Sequence, residues 1–331
     1  MAILVTGGAG YIGSHMGLAL QDSGEGIVVL DDLSTGFRAS VPTSAVLEVG
    51  DIGDVSLLRR IIRRYYIDTI IHFAGKSVVP ESLALPLNYY ETNTIKSYAL
   101  IHTAIREGIR NFIFSSTAAV YANISNHKVC ESDLVNPVTP YGRSKLMIEW
   151  ILEDVGKVED IRYAILRYFN VAGADPNGRS GQSTSRATHL IKASVQTALG
   201  LHNKLAVFGS DYSTADGTCV RDYIQVTDLC QAHIDILKYL RLGGASVICN
   251  CGYGNGYTVL EIIDAVKRVS GIDFPVEFQS RRLGDLESVV ANNSKLKSLV
   301  EWAPKYNDLE CIVRQALDWE RHLIEQPSPI L

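Results

Sequence analysis

The chain has 331 residues, of which 47% are hydrophobic and 20% are charged, and its formal net charge at pH 7 is -5. Such a length and mixture predict a globular protein with a large core, in one large domain or two. The negative charge excludes the basic footprint of a nucleic-acid-binding protein, and no apolar run is long enough to span a membrane. Because we find no signal-peptide pattern and none of the six cysteines forms a C-x-x-C pair, we expect free buried thiols, no metal site and a cytoplasmic location.

The first predicted elements are a strand, a glycine-rich turn and a helix. The strand is Ala2–Thr6, three glycines follow it at intervals of three, and an apolar-periodic helix starts at Tyr11. This order is the dinucleotide-binding fingerprint. Gly7 allows a tight turn, Gly10 lets the backbone approach a pyrophosphate, and Gly13 lets the helix pack closely on the strand. The free N–H groups of the helix would then bind the phosphates.

The second predicted strand, residues 27–30, ends at Asp31. An acidic residue at this point accepts hydrogen bonds from the ribose hydroxyls of the cofactor and repels a 2′-phosphate, which favours NAD over NADP. The alternative is that Asp31 only caps a loop. Asp32 stands beside it, so the sequence predicts a negative charge at this point more firmly than it predicts which of the two aspartates contacts the ribose.

Strands and helices alternate through the rest of the first half. The further strands are residues 69–73, 111–115 and 163–167, and the helices between them are residues 55–65, 86–107 and 141–155. This alternation predicts right-handed βαβ units and a doubly wound parallel sheet, the Rossmann-like α/β class. We therefore assign residues 1–169 to an NAD-binding domain.

Hydroxyl and amine groups mark the carboxyl end of this sheet. Thr117 follows the strand 111–115, where ligands bind in doubly wound folds. Tyr141 and Lys145 lie four residues apart on the next helix and so share a face. A nearby ammonium and the positive nicotinamide both favour the phenolate, which makes Tyr141 a candidate general base for a hydroxyl group. The alternatives are a solvated helix face and an ordinary threonine at a strand end.

The pattern changes after about residue 170. Residues 170–188 are rich in Gly, Ser, Asp and Pro and predict a long loop, which in a compact domain is usually functional. Helices follow at residues 189–199, 227–242, 259–270 and 308–324, and strands at residues 205–208, 223–226, 247–250, 276–278 and 289–291. We expect a smaller mixed α/β C-terminal substrate lobe, made of residues 170–222 and 251–331, with residues 223–250 returning to the first domain.

Many of these segments resemble the extended short-chain dehydrogenase/reductases, and more narrowly the UDP-glucose 4-epimerases among them. The matching segments are residues 6–13, 51–52, 72–75, 93, 115–117, 141–145, 166–170, 208–212, 216–224 and 281–285, so the resemblance covers essentially the whole chain. It implies reversible 4-epimerisation of a UDP-hexose through a transient 4-keto sugar. Bound NAD would take hydride from C4 while Tyr141 takes the proton of the 4-hydroxyl, and hydride would return to the opposite face of the sugar.

The resemblance also implies roles for individual residues. The cofactor would be bound by Gly7, Gly10, Tyr11, Ile12, Gly13, Asp31, Asp51, Ile52, Phe73, Ala74, Gly75, Asn93, Tyr141, Lys145 and Tyr168. The UDP-sugar would be bound by Thr117, Asn170, His189, Leu190, Phe208, Arg221, Tyr223, Arg282, Asp285 and Val289. The two arginines suit a diphosphate because a guanidinium donates hydrogen bonds in pairs, although each arginine alone could be a surface ion pair.

Several positions depart from the family pattern or leave alternatives open. Lys76 and Ser77 stand where a lysine often contacts the cofactor, which leaves that contact undecided. His72, at the end of a buried strand, is interpreted as a structural histidine. Val289 stands where some members carry a tyrosine that crowds the sugar 2-position, so UDP-N-acetylglucosamine and UDP-N-acetylgalactosamine are candidate substrates. The alternative is that Val289 only fills a repacked pocket.

Two rival functions and an assembly state complete the expectations. A 4,6-dehydratase or decarboxylase of the same fold needs proton-transfer groups beside Thr117, where this chain has Ala118 and Ala119. A non-catalytic NAD-binding sensor tends to lose the tyrosine or the lysine, and both are present. The helix 141–155 is apolar almost all round, so we expect one face on the sheet and the other, beside the helix 86–107, against a second subunit of a homodimer.

Overall fold

The computed structural model describes residues 2–122, 127–184 and 188–325. Its strands are β1 (Ala2–Thr6), β2 (Gly26–Asp31), β3 (Val46–Val49), β4 (Ile67–His72), β5 (Asn111–Thr117), β6 (Arg162–Tyr168), β7 (Asn170–Ala172), β8 (Leu205–Phe208), β9 (Val220–Gln225), β10 (Val247–Cys251), β11 (Gly256–Thr258), β12 (Val276–Gln279) and β13 (Ser288–Val289). Its α-helices are α1 (Tyr11–Asp22), α2 (Val55–Arg64), α3 (Val79–Ala84), α4 (Pro86–Tyr89), α5 (Lys96–Arg106), α6 (Pro140–Val155), α7 (Leu190–Ala198), α8 (Val226–Arg241), α9 (Val259–Ser270), α10 (Ser294–Leu299) and α11 (Leu309–Glu325).

A seven-stranded parallel sheet forms the centre of the fold, with the order β10-β6-β5-β4-β1-β2-β3. Strand β1 pairs with β2 on one side and with β4 on the other. The chain therefore reverses its direction of winding between β1 and β4, and in such sheets ligands bind outside the carboxyl ends of the strands at this point. The doubly wound Rossmann-like fold expected from the sequence is confirmed.

The core lies on both faces of this sheet because successive side chains of each strand point in opposite directions. Ile3 and Val5 face one side, where they pack with Met16 of α1 and with residues of α8. Leu4 faces the other side, where α2, α5 and Ile148 of α6 supply the apolar contacts. Two covered faces explain why the strands are nearly continuous apolar runs rather than alternating ones.

The second half of the chain builds two smaller sheets. Strand β9 lies between β11 and β13 and also pairs with β7, and β12 pairs with β8. Residues 223–225 thus lie in this second sheet, whereas α8 and β10 extend the main fold, with β10 next to β6. Residues 170–172, which the sequence placed in a long loop, form β7. They do so because β9 offers an open edge for pairing.

The helix expected at residues 86–107 contains a change of winding. It runs from α4 into α5 through one π-helical turn, Tyr90–Ile95. Such turns often occur at functional sites. The sequence does not reveal this turn, because the apolar pattern on either side continues through it.

Buried polar groups in the core have partners of a structural kind. Both ring nitrogens of His72 are hydrogen-bonded, one to Thr6 Oγ1 at 2.7 Å and one to Ser97 Oγ at 2.8 Å. The histidine is a structural one, as expected. The six cysteines are free, with Cys130 and Cys311 half-buried rather than buried. Among the described residues, no helix combines the length and apolar character needed to cross a membrane.

We expect the free energy of unfolding to decrease between about pH 7 and about pH 5. Burial, with Lys145 nearby, lowers the pKa of His72 from 6.5 to about 3, so the unfolded chain binds the proton first on acidification. Below about pH 6.5 the cost of keeping this histidine neutral increases by about 1.4 kcal/mol per pH unit, which amounts to about 2 kcal/mol between pH 7 and pH 5. In chemical denaturation, the decrease should be about 2 kcal/mol smaller in His72→Gln than in the wild type.

The exposed His202 provides the control for this prediction. His202→Gln should keep the pH dependence of the wild type. Equal decreases in all three proteins would contradict the proposed linkage, because the protonation of His72 would then contribute nothing.

Candidate active site

The glycine turn between β1 and α1 is fixed by close backbone contacts. Gly7 has a φ of +71°, and a Cβ there would lie 2.5 Å from Ala74 N. A Cβ on Gly13 would lie 2.1 Å from Gly7 O, so only glycine lets α1 start this close to β1. A Cβ on Gly10 would have Gly7 O, at 3.3 Å, as its nearest described atom. The second glycine therefore leaves the N-terminus of α1, with Tyr11 and Ile12, open to a phosphate group.

Asp31 joins this turn to the end of β2. Its side chain is buried and accepts hydrogen bonds from Ala9 N and from Leu33 N, each at 2.9 Å. Burial raises the pKa of the carboxyl group, and these two hydrogen bonds act in the opposite direction. Each oxygen keeps a lone pair, so the carboxylate can still accept from a ribose hydroxyl.

A second carboxylate follows β3 at Asp51. The Lys96 ammonium is hydrogen-bonded to Asp51 Oδ2, and Gly53 N donates to Oδ1 at 2.7 Å. Burial alone would raise the pKa of Asp51, but the hydrogen bond from Lys96 and the positive charge lower it. Ile52 is buried beside them. Lys96 is a residue of this region that the sequence patterns did not single out.

The loop after β4 reaches α6, the helix of the tyrosine–lysine pair. Both Phe73 N and Ala74 N donate to Thr6 O, which holds the loop against the glycine turn. A Cβ on Gly75 would lie 2.9 Å from Asn93 Oδ1 and 3.6 Å from Lys145 Nζ. The loop expected to bind the cofactor thus lies directly beside the lysine of the tyrosine–lysine pair.

Asn93 lies within the π-helical turn and is almost completely buried. Its Oδ1 accepts from Lys76 N at 2.8 Å, and its Nδ2 donates to Lys76 O and to Ser144 Oγ, both at 3.0 Å. Both donor hydrogens of the amide are therefore used within the protein. Asn93 positions the loop after Gly75 against α6. The Lys76 ammonium lies 3.6 Å from Glu81 Oε1.

Helix α6 carries the tyrosine and the lysine. It starts at Pro140, where the Thr139 side chain accepts from Gly142 N, and a Cβ on Gly142 would lie 2.4 Å from Ala119 O. The start of the helix is therefore fixed against the turn that follows β5. This contact brings Tyr141 to the carboxyl edge of the sheet next to Thr117.

The Lys145 ammonium lies against β5, and its expected effect on the pKa of Tyr141 stays a prediction. Lys145 Nζ donates to Ser115 O at 3.0 Å and lies over the ring of Phe114. Burial raises the pKa of Tyr141, an effect that an interaction with the Thr117 side chain partly offsets. Burial also lowers the pKa of Lys145 to about 8, with Glu149 acting against it. The two residues share a helix face, but the ammonium is turned toward β5 and Gly75.

The hydroxyl groups of β5 and β6 complete this edge. Thr117 Oγ1 accepts from Ala119 N at 3.1 Å and forms the N-cap of the short turn that follows. Thr117 pairs in register with Tyr168, whose hydroxyl is hydrogen-bonded to Ser115 Oγ. Tyr168 is buried and its phenol is already partnered. Thr117 is therefore the hydroxyl of this cluster that lies next to Tyr141.

A buried ion pair joins α6 to β6, and the sequence analysis did not predict it. Arg167 Nη2 lies 2.5 Å from Glu149 Oε2, Glu149 also accepts from Ser116 Oγ, and both side chains are almost fully buried. Arg167 Nη1 donates to the Tyr121 hydroxyl group at 3.0 Å. The signal in the sequence was a carboxylate four residues after Lys145, on the same face of a largely apolar helix.

The second lobe presents its candidate substrate residues on two neighbouring strand pairs. Asn170 of β7 pairs with Tyr223 of β9, and Arg221 of β9 pairs with Val289 of β13. Arg221 Nη1 donates to Val220 O at 2.8 Å. Because all three strands are parallel, these side chains lie at neighbouring register positions beside the carboxyl end of the main sheet.

A third group joins the two lobes. The Arg282 guanidinium lies 4.6 Å above the ring of Phe208 and donates to Asp285 Oδ2 at 2.9 Å. A Cβ on Gly284 would lie 2.9 Å from the Thr139 side chain, so this loop contacts the start of α6. The residues expected to hold the nucleotide are thus brought next to α6.

His189 and Leu190 stand at the beginning of α7. His189 is exposed, and its contact with Gln182 is long, at 3.5 Å between Gln182 Nε2 and His189 Nδ1. Together with Tyr11 and Gly173, His189 lines a cavity that borders the glycine turn. The histidine therefore lies in the same cavity as Tyr11 of α1, and among the described residues its side chain has no closer hydrogen-bond partner than Gln182.

Comparisons with known proteins agree with this geometry. Residues 3–252 match the NAD dependent epimerase/dehydratase family. The chain belongs to that family. A UDP-glucose 4-epimerase of Azospirillum brasilense is 50% identical over 321 residues, which are 97% of this chain and 92% of that protein.

Solved structures extend the similarity to three dimensions. The UDP-glucose 4-epimerase of Brucella ovis, in complex with NAD, is 38% identical, with a TM-score of 0.92 and coverage of 96% of this chain and 97% of that one. The UDP-Glc/GlcNAc 4-epimerase of Campylobacter jejuni is 42% identical, with a TM-score of 0.85 and coverage of 97% and 99%. The similarity therefore includes the second lobe as well as the dinucleotide-binding half.

Proposed function

We propose that this protein is an NAD-dependent isomerase that interconverts UDP-glucose and UDP-galactose by inverting C4 of the sugar. The observation that supports this most directly is that the candidate base, the cofactor loop and the candidate nucleotide-binding loop lie together at the carboxyl edge of the main sheet. Tyr141 and Thr117 lie side by side, Lys145 lies beside Gly75 of the cofactor loop, and the Arg282 loop contacts the start of the same helix. An epimerase needs its base, its cofactor and its nucleotide grip within one cleft, and these contacts provide that arrangement.

The glycine turn fits NAD, because Gly10 leaves the N-terminus of α1 open and Asp31 stands where the ribose would lie. When bound, NAD supplies the acceptor and donor of hydride. Tyr141 then takes the proton of the 4-hydroxyl, and Thr117 binds the same oxygen. Because burial raises the pKa of Tyr141, its ionisation needs positive charge close by. Protonated Lys145, on the same helix face, and the nicotinamide of bound NAD would supply that charge.

The rival functions of the same fold are not favoured. Dehydration needs groups that transfer protons next to Thr117, and the turn after it carries Ala118 and Ala119. The nearest buried carboxylate on the catalytic helix, Glu149, is held in an ion pair with Arg167 and is not free to act as an acid. A sensor without catalytic function would have no use for Tyr141 and Lys145 at this edge.

Tyr141→Phe should abolish most of the activity while the protein keeps its cofactor. Removing the phenol removes the general base, so kcat for UDP-galactose should fall by roughly 10²- to 10⁴-fold. A coupled assay measures kcat, and acid release measures the bound NAD. Tyr163→Phe is the control, since Tyr163 is half-buried near the opposite, amino end of β6. Activity of Tyr141→Phe close to that of the wild type would reject Tyr141 as the base.

We also propose that the acetylated UDP-sugars are substrates. Val289 is buried in a small cluster with Ala118, Leu146 and Phe169, close to Thr117. A valine there is short, so the wall leaves space beside the sugar 2-position. The similarity to the Campylobacter jejuni UDP-Glc/GlcNAc 4-epimerase supports the same inference.

Wild-type protein should therefore turn over UDP-N-acetylglucosamine. Val289→Tyr should lower kcat/KM for the acetylated pair by at least about tenfold, or about 1.4 kcal/mol, because the phenol ring would occupy the space that the acetamido group needs. For UDP-glucose the change should stay within about threefold, and Val289→Ala should keep both activities. Absence of any turnover of the acetylated pair by the wild type would reject the idea.

The outer face of α6 supports the proposal of a homodimer. Trp150 and Met147 of this helix and Ile95 and Tyr98 of the neighbouring one are exposed large apolar residues. Thr94 contacts Met147, so the two helices present one continuous surface. Exposed apolar patches rimmed by polar groups mark protein–protein contacts.

Free cysteines, four of them buried, further support a reducing, cytoplasmic location.

Light scattering at micromolar concentration should give a mass near twice 36.3 kDa. The double variant Tyr98→Glu/Trp150→Glu should give the monomer mass, because it buries charge in the proposed interface. Leu242→Glu, at another highly exposed position at the end of α8, should leave the dimer intact. A monomeric wild type would reject the proposal.

A further inference from the structure

Asp222 is a fully buried carboxylate between two candidate substrate residues, Arg221 and Tyr223, on β9. It accepts three backbone hydrogen bonds: from Tyr253 N at 3.0 Å, from Gly254 N at 2.8 Å and from Ala291 N at 3.1 Å. The first two donors follow β10, and the third follows β13. One side chain therefore joins three segments of the second lobe.

The segment after β13 depends strongly on this contact. Strand β13 has two residues, and Val289 is the second of them. Val129 N donates to Val290 O at 2.7 Å and Asn292 N donates to Val129 O at 2.8 Å, so the segment is bonded on its other side to residues from the first half. Between those two bonds, Ala291 N points to Asp222. The wall that carries Val289 is thereby fixed relative to Arg221.

The packing leaves little room for adjustment. A Cβ on Gly252 would lie 2.7 Å from Asp222 Oδ2 and 2.8 Å from Ala291 Cβ. Lys128 is the cation that acts on Asp222, but its side chain is exposed, so the backbone N–H groups supply most of the compensation for the buried charge. An amide in place of the carboxylate cannot accept all three bonds, because one of its two terminal atoms is a donor.

We propose that Asp222 is a positioning residue that holds the Val289 wall at a fixed distance from Arg221 and thereby sets the discrimination between 2-hydroxyl and 2-acetamido UDP-sugars. The inference rests on the proposed function, because it concerns the substrate choice of the same site. A merely structural role predicts a loss of stability alone, whereas a positioning role predicts a change in the ratio of two sugars.

The test compares Asp222→Asn with the wild type as purified, NAD-containing enzymes. KM and kcat are measured with UDP-glucose, and UDP-N-acetylglucosamine is used as a competing ligand to give an inhibition constant, whether or not it is turned over. Loss of one hydrogen bond should change the ratio of the inhibition constant to KM by about fivefold. Because Tyr141 and Thr117 are untouched, kcat for UDP-glucose should change by less than about threefold.

Asp228→Asn is the matched control. Asp228 is as deeply buried and also accepts three hydrogen bonds, from Tyr253 OH, Lys305 N and Tyr306 N, but none from the segment after β13. Its variant should lose thermal stability without a change in the sugar ratio. If both variants keep the wild-type ratio, Asp222 is structural only and the inference is overturned.

A second variant covers a failure of Asp222→Asn to fold. Gly252→Ala keeps the carboxylate but pushes against Oδ2 and Ala291, so it should shift the ratio as well. An unchanged ratio in Gly252→Ala would also overturn the inference. Failure of the proposed function looks different, since the wild type would then epimerise neither sugar.

Discussion

The contact between Gly7 and Gly13 is the constraint on which the rest of the site depends. With any side chain at Gly13, α1 would have to move away from β1, because the added Cβ would lie 2.1 Å from Gly7 O. The helix N-terminus would then leave the carboxyl edge of the sheet. A Cβ on Gly7 would lie 2.5 Å from Ala74 N, so a side chain there would displace the loop after β4. That loop ends at Gly75 beside Lys145, and the turn thus fixes both ends of the cofactor cleft.

The chemistry at this edge depends equally on charges that take no part in it. Glu149 and Arg167 place an ion pair between α6 and β6, and breaking such a buried pair by removing one partner typically costs about 3–5 kcal/mol. The carboxylate also acts on Lys145, where it opposes the effect of burial on the pKa. The protonated lysine that we propose for Tyr141 is therefore favoured partly by a residue that is paired with β6. Position and protonation are two consequences of the same buried contact.

Much of the fold could be predicted because periodicity and glycine spacing are local signals. The parallel strands, α1 and the tyrosine–lysine helix follow from them. The π-helical turn at Asn93, the pairing of β7 with β9 and the ion pair of Glu149 with Arg167 depend on partners far away in the chain. The direction of Lys145 Nζ also escaped prediction. A shared helix face fixes where a side chain starts, whereas the carbonyl group of Ser115 decides where its end lies.

The second lobe has to meet two different requirements, and different side chains meet them. Inversion at C4 requires a firm hold on the nucleotide and a loose hold on the sugar. Arg282, the proposed diphosphate ligand, is paired with Asp285 in a partly exposed ion pair, and such pairs contribute only about 0–1 kcal/mol, so exchanging the carboxylate for a diphosphate oxygen would cost little. Val289, in contrast, offers no hydrogen bond to the sugar. A wall without donors or acceptors lets a keto sugar rotate past it, provided that the wall itself stays fixed. That condition gives a buried carboxylate such as Asp222 a purpose beyond stability.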